Sequence, residues 1–117
     1  MNKADLFMEL VATYRKHGWE LKRALLQPAT RAVVNAKEAD ILAPVTIKED
    51  VIDALWFARP SNNNRTAWEL RLLAETQYAL FETFEADENE DQREEMRLEM
   101  EARLRDYVQG ADAGGGH

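Results

Sequence analysis

The sequence predicts an α+β domain: a small antiparallel sheet centred on a β-hairpin at 54–73, packed by an N-terminal helix and a long acidic C-terminal helix. Three observations carry that expectation. Apolar side chains recur at helical spacing near the N-terminus, alternate at strand spacing over 54–73, and return to helical spacing over 90–108.

In the first element, Leu6, Phe7, Leu10, Val11 and Tyr14 fall on one side of a helix. Arg15, Lys16 and His17 stand in its last turn, where cations favour the helix dipole, and Gly18 is placed to close it as a left-handed cap. Residues 19–27, WELKRALLQ, read as a strand with a broken period of two: Trp19, Leu21 and Leu25 against Glu20, Lys22 and Leu26. Their composition is that of good helix formers and pulls the other way. Over 28–50 two readings stand. PATRAVVNAKEADIL is a helix with Pro28 near its first turn, or RAVV is a short strand.

The hairpin is the clearest feature. A turn centred on Asn63 sets Ala58 against Trp68, Trp56 against Leu70 and Ala54 against Leu72. Strand side chains alternate, so these six share one face, and all are apolar. Leu55, Phe57, Arg59, Glu69, Arg71 and Leu73 form the other, mixed face. A sheet with one side on the core shows this pattern, and a one-residue slip destroys it. Asn62, Asn63 and Asn64 suit the turn, because asparagine tolerates positive φ. Residues 74–85 are balanced between strand and helix. As a strand, Tyr78, Leu80 and Phe84 share a face with Glu82; as a helix capped by Thr76, Tyr78, Phe81 and Phe84 stack. The helix is preferred by a small margin.

In the last element, Met96, Met100, Leu104, Tyr107 and Val108 recur at spacings of three and four. Asp87 with Glu90, or Asn89 with Gln92, offers a capping box. Glu99 with Arg103 and Glu101 with Arg105 are i, i+4 pairs in the favourable order. Gly110 is expected to stop this helix. The chain then divides into a single domain at 1–109 and a flexible tail at 110–117.

The 117 residues fit one domain. The absence of cysteine excludes disulfides, thiolate metal sites and cysteine nucleophiles. The N-terminal stretch is broken by Asp5 and Glu9 and has no secretory apolar core, and no run approaches a membrane span. The expectation is a cytoplasmic protein. Residues 1–84 carry 11 acidic and 11 basic side chains, while 85–117 carry 11 and 4, so the whole net charge of −7 lies in the last third. Such a surface repels phosphate backbones, which disfavours nucleic acids and anionic membranes as general partners.

Few residues invite chemistry. Asp87, Asn89 and Asp91 match the start of a calcium loop, but Gln92 stands where glycine must turn and Leu98 where a glutamate must bind. The run is read as a solvated helix start, with attraction of a basic partner as its functional reading. His17 is read as an exposed helix-end residue, and no metal site is expected. Ser61, the only serine, lacks a nucleophile motif, and the glycines form no phosphate loop. No catalytic residue and no cofactor are expected.

Two constellations remain. Arg59, Glu69 and Arg71 share a hairpin face with Phe57, with Arg65 near the turn; together they would grip a carboxylate or phosphate, or simply form cross-strand salt bridges. Trp56, Phe57 and Trp68 are core aromatics or, if exposed, an interface. The expected function is a non-enzymatic protein–protein interaction module, a homodimer. The alternative is a small anionic-ligand-binding protein or enzyme using Arg59, Arg71 and Glu69. The small, acidic, cysteine-free α+β outline resembles bacterial secretion-chaperone-like dimers, in outline and not in any motif.

Overall fold

The computed structural model describes residues 1–114. Its elements run α1 (Lys3–Lys16), β1 (Glu20–Leu26), α2 (Pro28–Leu42), β2 (Thr46–Glu49), β3 (Ala54–Pro60), β4 (Thr66–Leu72), β5 (Ala79–Phe84) and α3 (Glu90–Gly114). The five strands make one sheet in the order β2-β1-β3-β4-β5. Helices α1 and α2 cover one face and α3 the other.

Local chemistry explains each boundary. The Asn2 side chain caps α1 by accepting from the Asp5 N–H at 2.8 Å. At the other end Gly18 takes φ +85°, the Trp19 N–H donates to Tyr14 O and the Gly18 N–H to Arg15 O. That paired closure needs a residue without a Cβ penalty at positive φ. The broken alternation of β1 has a physical cause: its register against β3 shifts between Leu21 and Arg23, so Lys22 bulges and the face assignment inverts beyond it. Of the two readings of 28–50, the helix is found, with Pro28 at its first position.

The expected sheet was antiparallel; the observed one is mixed. β2 lies parallel to β1, with Arg23 beside Thr46 and Leu26 beside Glu49. Parallel neighbours need a crossover, and α2 is that crossover.

β3 and β4 pair Ala54 with Leu72, Trp56 with Leu70 and Ala58 with Trp68, the register that the alternation selects. Asn63 and Asn64 both sit at φ 60° in the turn between them. The apolar hairpin face meets Met96, Met100, Leu104, Tyr107 and Val108 of α3. The mixed face is also covered: Leu55, Phe57 and Leu73 pack with Leu6, Phe7, Leu10 and Val11 of α1. Residues 74–85, for which a helix was preferred, instead hold β5. Strand β5 sets Leu80 against Leu70 and Phe84 against Thr66, so Leu80 and Phe84 point toward α3 while Phe81 lies on the other face. Cross-strand burial outweighs the helix-forming composition there.

Asn89 and Gln92 form the capping box of α3: the Gln92 N–H donates to Asn89 Oδ1 at 2.8 Å and the Asn89 N–H to Gln92 Oε1 at 3.2 Å. Gly110 does not stop the helix, which runs through it to Gly114. A stop requires left-handed backbone at the glycine, and among the described glycines only Gly18 has positive φ. The rest of the expected tail, 115–117, lies outside the described residues.

Candidate interaction edge

A sheet has two margins, and here they differ. β2 is four residues long and carries Lys48 and Glu49, the short charged form that discourages pairing. β5 is six residues long, without proline or lysine, and bonds to β4 alone. In an antiparallel ladder, residues that exchange backbone hydrogen bonds alternate with residues that do not. The Leu72 N–H donates to Tyr78 O at 3.0 Å, which fixes the phase. Tyr78, Leu80, Glu82 and Phe84 therefore bond inward to β4, and Ala79, Phe81 and Thr83 turn their N–H and C=O groups outward. The Thr83 N–H is met there by the carboxylate of Glu82 at 3.1 Å. Among the described residues nothing else bonds to those outward groups.

The side chain at the centre of this margin is Phe81, 57% exposed. Its ring lies edge-on to Trp19 at 6.3 Å. Helix α1 covers the sheet only as far as β4. Tyr14 stacks on Phe57 at 4.0 Å and its hydroxyl donates to Glu69, the residue paired with Phe81. Burial and the Glu69 carboxylate push the Tyr14 phenol above its ordinary pKa, so it stays a neutral donor; nearby Arg71 pulls the other way without prevailing.

The residues proposed as ligand-binding separate into different roles. Glu69 and Arg71 do come together, both beside the Tyr14 hydroxyl. Arg71 is buried and donates to Leu72 O at 2.9 Å and Thr76 O at 2.8 Å, which ties down the β4–β5 connection. It lines an open cavity of about 520 Å³ between α1 and that connection, but Glu9 and Glu75 line it too, so the space is not built for an anion. Arg59 lies elsewhere: it donates to His17 O at 2.9 Å and sits over Trp19 at 4.5 Å. Arg65 follows the turn, 3.8 Å from Glu85. The four residues do not converge on one cleft. Of the aromatics proposed as interface, Trp56 and Phe57 are fully buried in the chain's own core, so they form no surface. Trp68 is half-buried between Trp56 and the Arg97 guanidinium, 4.5 Å from its ring centre.

The layer beneath α3 is unusually polar. Glu101 is fully buried and accepts from the Trp56 indole at 2.9 Å, with Arg105 at 3.4 Å and Lys48 at 3.5 Å. Arg97, 1% exposed, bonds Glu90 and Glu94. Hydrogen bonds from Arg105 hold the Asp50 carboxyl below the usual range against its burial. Burial raises Glu94, but bonds from Arg23 and Arg97 outweigh it and hold that carboxyl low as well. Glu101 and the Arg97 side chain are closed to solvent while Glu90 and Lys48 reach it, and together these pairs orient α3 on the sheet. Helical spacing pairs Glu101 with Arg105, as found at 3.4 Å, but not with Trp56, and it marks neither Tyr14 as a polar group nor Phe81 as an exposed ring.

Among the described residues no cluster of histidine, aspartate and glutamate is arranged to hold a metal ion, and no helix is long and apolar enough to cross a membrane. Comparisons with protein-family models, with curated proteins and with solved structures gave no match.

Proposed function

We propose that this chain is a non-enzymatic protein–protein interaction module that takes a strand from its partner along the free margin of β5. One observation carries the reading: Ala79, Phe81 and Thr83 turn backbone groups outward beside an exposed aromatic ring. Added strands gain affinity from main-chain hydrogen bonds and selectivity from alternate side chains, and β5 offers both. The rest of the sheet is faced by the chain's own helices, which leaves this margin for association. A homodimer would meet at the same place.

The test is selection of displayed random peptides on the immobilised protein, with each enriched peptide then measured on Phe81→Asp. Peptides should enrich, and their binding should fall at least about tenfold on the variant, the loss expected for truncating one central aromatic contact. The variant should stay folded and melt only a little below the parent, because the ring is mostly in solvent while a carboxylate there faces Glu69 across the ladder. No enrichment, or equal binding to both proteins, would refute the reading.

A further inference from the structure

Resting on that reading, we infer that the strand accepted by β5 is a basic one: an extended segment with apolar residues at alternate positions and a cluster of lysine or arginine at its N-terminal end. Strand β5 ends at Phe84 and runs directly into residues 85–91, which hold Glu85, Asp87, Glu88, Glu90 and Asp91 and no cation. Arg65 faces Glu85 and Arg97 bonds Glu90. Asp87 and Asp91 are exposed and meet no cation among the described residues. An antiparallel added strand puts its N-terminal end beside this segment. Its alternate side chains fall next to Phe81, and a cation near its middle reaches Glu82, whose carboxylate gives up the Thr83 N–H to the new ladder. A second copy of this chain fits less well, because it brings the same acidic segment and the same net charge of −7 to the contact.

The experiment is calorimetric titration with a synthetic peptide of about nine residues, within the range of strand lengths, in which threonine and valine alternate after N-terminal lysines. Its comparators are the same peptide with glutamates for lysines, and the lysine peptide N-methylated at alternate residues. The lysine peptide should bind, the glutamate peptide should not, and N-methylation should abolish binding because it removes the ladder donors. The double variant Asp87→Asn/Asp91→Asn should raise Kd about three- to tenfold, the scale of two exposed ion pairs. Equal binding of the acidic peptide, or an unchanged Kd in the double variant, would overturn the basic-strand inference and leave the edge reading intact. A low-micromolar dimer in native mass spectrometry that Phe81→Asp dissociates would do the same, assigning the edge to a second copy. Binding that survives N-methylation and Phe81→Asp would overturn both.

Discussion

Replacing Glu101 with alanine removes the acceptor of the Trp56 indole N–H and the common partner of Arg105 and Lys48. The site is fully buried, so water cannot take the carboxylate's place without opening the contact between α3 and the sheet. A hydrogen bond to a charged group contributes about 1.5–3 kcal/mol, and the one methylene lost, Cγ, about 0.8 kcal/mol. Relief of the buried charge offsets part of this, so the expected cost is about 3 kcal/mol. For a domain of this length that lowers Tm by about 12 °C. Glu101→Gln keeps an acceptor for the indole and should cost about 1 kcal/mol. The assay is urea unfolding followed by far-ultraviolet circular dichroism, with Glu99→Ala as the control for helix propensity, since Glu99 is exposed and only 3.7 Å from Arg103 at the surface. A cost for Glu101→Ala no larger than that of Glu99→Ala would refute the account of how α3 is held.

Two further outcomes follow from the same contacts. Asp50 and Glu94 titrate below their unfolded values, so their contribution is complete above about pH 4 and is lost as pH falls through the lowered folded values, where the unfolded chain binds more protons. Melting curves from neutral pH downward should show this acid slope, and Asp50→Asn should lower Tm at pH 7 while flattening it; a variant curve parallel to the parent's would contradict the assignment. Asn89→Ala breaks half of the capping box and should destabilise the protein by about 1 kcal/mol in the same urea assay, with Gln92→Ala adding little once Asn89 is gone. Additive losses would show that the two bonds are independent.

The parts of the fold legible from the sequence were those governed by local periodicity. The hairpin register follows from six apolar residues at alternate positions, and one of the two capping boxes that the spacing offers, Asn89 with Gln92, starts α3. β5 was hidden because Glu82 interrupts its apolar face and its remaining residues accept either backbone form. The direction of β2 depends on the α2 crossover, which no period of two reveals. The candidate edge was less legible still. Which residues of β5 turn outward depends on hydrogen-bond phase, set by one contact between Leu72 and Tyr78. Of Trp56, Phe57 and Trp68, offered as core or interface, Trp56 is covered by α3 through a contact with Glu101, 45 residues further along, that spacing alone does not supply.

The position of Trp19 has a practical consequence for spectroscopy. Its indole is 8% exposed and edge-on to Phe81, the ring an incoming strand would cover. Trp56 lies beneath α3 and Trp68 beside Arg97, both on the opposite face of the sheet. Of the three tryptophans, one therefore stands at the margin while two report on the layer under α3. An emission change at Trp19, set against the two indoles on the far face, becomes a label-free optical gauge of whether the edge is free or filled.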